Sequence, residues 1–142
     1  LGPLVIPFLT AFVQDERVER AVESIFEPDP VPPGYIAHIG APLTLRRNSL
    51  RANALQRAQL LDQITALQPA LDALDLPIEL VHGTADTTVG LHIHAEPLAR
   101  QLDSASLTRL PGTGHMPQHA DEDAVVAAID RAAGRAGLHP AD

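Results

Sequence analysis

The second half of the chain alternates between short apolar runs and longer amphipathic runs, and this order limits the folds open to it. Residues 78–82 form an apolar run that ends at Gly83, and residues 105–110 form a second one that ends before a Pro-Gly pair. Residues 91–102 and 121–135 carry apolar side chains at helical spacing. A strand–helix–strand–helix order is typical of a parallel sheet with crossover helices, so the sequence predicts the α/β class.

The first half shows helical patterns and no run that we interpret as a strand. Residues 15–26 place apolar side chains at helical spacing, and residues 27–34 (EPDPVPPG) predict a turn-rich loop. Residues 48–74 repeat apolar side chains every three or four positions, which predicts a long helix. Pro69 should kink or end that helix near its close. We therefore predict two domains, a helical region at 1–74 and a sheet-bearing region at 75–142.

Two strands are too few for an independently stable sheet, so the fold predicted here is incomplete. The chain begins with Leu1, and its only methionine is Met116. We expect the remaining strands to precede Leu1 in a longer polypeptide. The first strand of the isolated chain would then expose an unpaired edge, so we expect the isolated chain to be poorly stable or prone to aggregate.

Composition excludes several classes of function. The net charge is −8, and the ten basic residues are all arginines spread along the sequence, so we expect no nucleic-acid partner. The chain has no cysteine, which excludes disulfides and cysteine-ligated zinc. The longest apolar run, residues 1–13, is broken by Gly and Pro and is shorter than the ~20 residues that a membrane span needs. We expect a soluble, cytoplasmic chain with no membrane span.

Two loops carry residues suited to acid–base chemistry. Asp86 follows the first predicted strand and His115 follows the second, each beside glycines. The carboxyl ends of parallel strands meet at one edge of the sheet, where ligands bind, and the intervening residues are about one crossover long. A histidine can take a proton from a nucleophile and return it to a leaving group, while a buried carboxylate fixes its tautomer. Asp86 and His115 are therefore the predicted catalytic residues.

These loops resemble two loops in the C-terminal part of the α/β-hydrolase fold enzymes. The family's acid loop, H-G-x-x-D-x-x-V, is matched by residues 82–89, and its histidine loop, G-x-G-H, by residues 112–115. The resemblance implies that residues 1–74 are a cap region and that 75–142 complete the hydrolase core. It also implies hydrolysis of an acyl ester, thioester or amide by a Ser-Asp-His triad acting on a small, apolar substrate, with no cofactor or metal.

The chain departs from that family in one decisive respect, because no G-x-S-x-G sequence occurs in it. The nucleophile is then expected in a missing N-terminal half, and this chain alone is expected to be inactive. A smaller departure is Gly90, where the family often has proline.

Other interpretations stay open at this point. An aspartate nucleophile upstream would give an epoxide or haloalkane hydrolase, and a truncated or binding chain would have no catalysis at all. Asp86 could simply cap the helix that follows, and His115 could be an ordinary loop histidine. His92 and His94 are two apart in a predicted helix, so they point to different faces and do not predict a metal site. The apolar start, residues 4–13, fits helical core better than a substrate pocket.

Overall fold

The structure, a computed structural model, describes residues 15–40, residue 43 and residues 46–138. The apolar start of the chain lies outside the described residues.

The chain divides into two compact units. The first comprises residues 1–24 and 31–68, and the second comprises residues 25–30 and 69–142. The short segment 25–30 thus belongs with the C-terminal residues, although residues 31–68 separate them in sequence. The domain boundary predicted at residue 74 stays a prediction.

Helices α1, Asp15–Phe26, and α2, Tyr35–Ile39, come first. Val22 and Phe26 are buried, and their spacing of four places them on one face of α1. Two glycines bound α2, and both adopt positive φ: Gly34 at 78° and Gly40 at 59°. This left-handed backbone favours glycine, so these two positions fix where the short helix begins and ends.

Helix α3, Arg47–Leu71, is the long helix that the apolar repeat predicts. Pro69 lies inside its last turn, and the helix ends two residues later. None of its described side chains is buried, and Leu61 and Leu67 are 75% and 63% exposed. In the part of the chain that the structure describes, no helix combines the length and apolar character needed to cross a membrane.

The second unit contains the strands and the remaining helices. Their order is β1, Ile78–Gly83; α4, Ala95–Gln101; β2, Ala105–Leu110; α5, Pro117–Ala120; and α6, Glu122–Arg135. The two strands pair in parallel, with Ile78 opposite Ala105 and Gly83 opposite Leu110. Two strands are too few to test the α/β class, so this class stays a prediction.

Helix α4 is shorter than the pattern at 91–102 predicts. Residues 91–94 form turns, and the helix begins at Ala95. This start places Pro97 in the first turn, where the missing N–H of proline costs no helical hydrogen bond.

A buried carboxylate joins α6 to the sheet. The Glu79 side chain on β1 is 5% exposed and accepts hydrogen bonds from Arg131 Nε at 3.0 Å and Arg135 Nη1 at 2.8 Å. The same arginines reach β2, where Arg131 donates to Thr108 Oγ1 and Arg135 donates to Ser106 Oγ. Burial alone raises the pKa of Glu79, but the hydrogen bonds from Arg135 and Arg131 outweigh it and hold that pKa below its ordinary value.

We expect Glu79→Gln to lower the free energy of unfolding by about 1–2 kcal/mol, because both arginines lose their charged acceptor but stay partly hydrated. Glu79 has a lower pKa folded than unfolded, so its contribution is present above the unfolded pKa and is lost as pH falls through the folded pKa. Urea unfolding at several pH values measures both effects. The matched control is Glu96→Gln, which removes a more exposed ion pair with Arg109 and should cost under about 0.5 kcal/mol. Equal losses for the two variants would contradict the assigned role of Glu79.

Candidate active site

The acid loop follows β1 directly and is shaped by the carboxylate of Asp86. Asp86 Oδ1 accepts hydrogen bonds from the backbone N–H groups of Thr88 and Val89, both at 2.8 Å. Side chains of aspartate commonly stabilise turns in this way, two or three residues ahead of themselves. The second oxygen, Oδ2, takes no part in these two hydrogen bonds and can accept one from another residue.

The structure brings the two predicted catalytic residues together. His115 Nδ1 lies 2.8 Å from Asp86 Oδ2, a distance typical of a charge-assisted hydrogen bond. The Asp86 side chain is 4% exposed, whereas that of His115 is 31% exposed. The carboxylate is thus enclosed, and the imidazole turns its other nitrogen, Nε2, away from it.

A second histidine contacts the same carboxylate, which sequence reasoning missed. His82 Nε2 lies 2.9 Å from the Val89 carbonyl oxygen and 3.4 Å from Asp86 Oδ2. The Val89 carbonyl oxygen is an acceptor, so His82 Nε2 carries a proton and donates a hydrogen bond to that oxygen, while Asp86 Oδ2 lies within ion-pair distance. The signal in the sequence is its place at the end of β1, four residues before Asp86.

Three donors therefore hydrogen-bond to the Asp86 carboxylate, and the His82 ring lies beside it. Burial by itself raises the pKa of Asp86, but hydrogen bonds from the Val89 N–H, from His115 and from the Thr88 N–H outweigh burial and lower the pKa below its ordinary value. Asp86 is accordingly ionised at neutral pH, the state in which it can orient an imidazole and stabilise an imidazolium.

Contacts between the acid loop and the histidine loop hold this geometry. Thr84 Oγ1 accepts a hydrogen bond from Gly112 N at 2.9 Å, and Ala85 N donates to the Thr113 carbonyl at 2.9 Å. Gly83 lies so close that a Cβ there would be 2.2 Å from the carbonyl oxygens of Thr113 and Gly114. Glycine is required at residue 83 because the two loops touch backbone to backbone.

The histidine loop also contacts a segment distant in sequence. Gly114 N donates a hydrogen bond to Asp29 Oδ2 at 2.7 Å, within the second unit. A Cβ at Gly114 would lie 2.3 Å from the Glu27 carbonyl oxygen, so glycine is needed here as well. No periodicity or motif in the sequence indicates this contact.

We call the hydrogen-bonded pair of Asp86 and His115 the dyad. The histidines and serines described next do not add a further residue to it. His92 and His94 are exposed, and within residues 15–40, 43 and 46–138 no group of three or more His, Cys, Asp or Glu side chains could hold a metal ion. In the second unit, Ser104 Oγ donates to the Leu74 carbonyl and Ser106 Oγ accepts from Arg135. Those two hydroxyls are engaged away from His115, so the dyad has an acid and a base but no serine of this unit as its nucleophile.

Comparison with known proteins gives a similarity to part of a large enzyme. The chain is 32% identical over 141 residues to polyketide synthase ThaQ of Burkholderia thailandensis, and the match covers 90% of this chain. The chain spans only 7% of the length of that synthase. No family model matches the chain, and no solved structure matches it. The chain is thus similar to a segment of an enzyme.

These findings correct the family assignment made from the two loop motifs. The assignment to the α/β-hydrolase family is wrong, because the similarity found is to a polyketide synthase segment and no family model or solved structure supports a hydrolase. The physical reason is that the two motifs describe a local arrangement, a strand followed by a tight turn with an acid or a histidine. That arrangement places Asp86 beside His115 without specifying the rest of a fold.

Proposed function

We propose that this chain supplies the orienting acid and the general base of an acyl-transfer site, with the nucleophile on residues outside the chain. The observation that carries the proposal is the 2.8 Å contact between His115 Nδ1 and the enclosed carboxylate of Asp86. Because Nδ1 donates to that carboxylate, Nε2 of the neutral ring has its lone pair free to accept a proton.

The reaction proposed is hydrolysis through a covalent acyl intermediate. His115 Nε2 removes the proton from a serine hydroxyl as the hydroxyl oxygen attacks the acyl carbonyl, and returns that proton to the departing alcohol or thiol. In the second half-reaction Nε2 takes a proton from water, whose oxygen attacks the acyl-serine, and the proton then goes back to the serine oxygen. Asp86 stays ionised throughout and stabilises the imidazolium of each step.

The comparison supports the substrate class that we propose. The relative is named a polyketide synthase, and a polyketide is built as an acyl chain. An acid–base pair in such an enzyme fits an acyl ester or thioester as substrate.

A fluorophosphonate probe tests the proposal, because it phosphonylates a serine only where a base activates that hydroxyl. The full-length polypeptide should be labelled, and peptide mapping should place the label on a serine outside the 142 residues of this chain. The His115→Ala polypeptide should lose the label, and the isolated chain should remain unlabelled. Absence of labelling in the full-length polypeptide, or a label on a serine of this chain, would contradict the proposal.

A further inference from the structure

Residues 25–30 form part of the unit that carries the dyad. Phe26 is the most deeply buried side chain among the described residues, at 1% exposure, and its ring centroid lies 5.6 Å from that of His119 on α5. Because α5 follows the histidine loop directly, this contact fixes the segment against the region that carries His115.

The segment also contacts the histidine loop through Asp29. The Asp29 carboxylate accepts the backbone N–H of Gly114, the residue immediately before His115, at 2.7 Å. A short hydrogen bond from a backbone N–H to a carboxylate oxygen is among the stronger kinds of hydrogen bond in proteins. Gly114 is buried and Asp29 is partly buried, so loss of the bond would leave a buried N–H without its acceptor, which costs stability.

The histidine loop is consequently held from two sides. Gly83 of β1 packs on the carbonyl groups of Thr113 and Gly114, and the Glu27 carbonyl packs on the α-carbon of Gly114. The first contact involves the end of β1, whereas the second involves residues 25–30, in which the Asp29 side chain hydrogen-bonds to the loop. Asp29 thus helps to hold the backbone before His115 in place.

We propose that Asp29 is a positioning residue for the acid–base site, acting through the Gly114 N–H to hold His115 at Asp86. The proposal rests on the function proposed above, since it assigns Asp29 a role in the chemistry of His115. A shift of about 1 Å in a catalytic group is enough to lower a rate by on the order of 10²-fold. Loss of the Asp29 bond should therefore affect the chemical step and leave substrate binding unchanged.

The experiment compares three variants of the full-length polypeptide in hydrolysis of an acyl thioester. Asp29→Ala should lower kcat by roughly 10- to 100-fold with KM unchanged, because Gly114 loses its acceptor. Asp29→Asn keeps an oxygen in place and should retain kcat within about threefold. The matched control is Asp72→Ala, which removes a side-chain hydrogen bond to Gln101 elsewhere in the unit and should leave kcat unchanged.

Amide hydrogen exchange supplies a measurement that does not depend on the folding of a variant. In the unaltered protein the Gly114 amide should exchange at least as slowly as that of Gly112, which donates to Thr84 Oγ1. Rapid exchange at Gly114, or equal kcat in Asp29→Ala and Asp72→Ala, would overturn the positioning role. A His115→Ala polypeptide assayed in parallel separates the two proposals: if it keeps full turnover the proposed function fails, and if only Asp29→Ala keeps turnover the positioning role alone fails.

Discussion

Replacing His115 with alanine in the full-length polypeptide should lower kcat for acyl hydrolysis by on the order of 10⁴- to 10⁶-fold. Without the imidazole, no base lies beside Asp86 to take the proton of the attacking hydroxyl, and no acid returns it to the leaving group. KM should change little, because the imidazole acts in the transition state more than in substrate binding. Steady-state kinetics with an acyl thioester and an acyl ester measure both constants.

A matched substitution separates this effect on kcat from the effect of replacing any histidine with alanine. His92 is exposed and makes no contact with the dyad in the described structure, so His92→Ala should retain the kcat of the unaltered protein. The His115→Ala chain should unfold at a somewhat lower temperature than His92→Ala, because the enclosed Asp86 carboxylate loses the hydrogen bond from Nδ1, so kcat is compared well below both unfolding temperatures. Full turnover by His115→Ala would remove the basis of the proposed function.

The dyad could be predicted from sequence because its geometry is local. Asp86 and His115 each lie a few residues beyond a strand end, and parallel pairing brings those ends to one edge. The strand patterns also gave the observed bounds closely, since β1 and β2 are short apolar runs closed by glycine or proline. Where the adjacent strand determines the position of a residue, the sequence carries enough information to predict that position.

The rest of the site depends on contacts between distant residues, which no single pattern reports. Asp29 meets Gly114 across 85 positions, and nothing in a proline-rich loop distinguishes its acid from a solvated one. The ion pairs of Glu79 with Arg131 and Arg135 are only weakly indicated by the sequence. The indication is the spacing of four between the two arginines, which puts both on one face of α6. The same limit explains the wrong family assignment, because two local motifs determine a local geometry and leave the surrounding fold open.

Asp86→Asn should lower kcat by on the order of 10⁴-fold while preserving the fold of the loop. The amide oxygen of asparagine can still accept from Thr88 N and Val89 N, so the turn should persist. The amide NH₂ then faces His115 Nδ1, which must become an acceptor and leave the ring proton on Nε2. That tautomer is unable to take a proton from the nucleophile.

The double variant and the pH profile distinguish this explanation from simple loss of stability. Asp86 acts only through His115, so Asp86→Asn combined with His115→Ala should cost no more in kcat than His115→Ala alone. Because the pKa of Asp86 is lower folded than unfolded, its carboxylate contributes stability that is present above the unfolded pKa and lost as pH falls through the folded pKa. Asp86→Asn should therefore flatten the acid limb of the stability profile measured by urea unfolding. Additive losses in the double variant would instead show that Asp86 acts on a group other than His115.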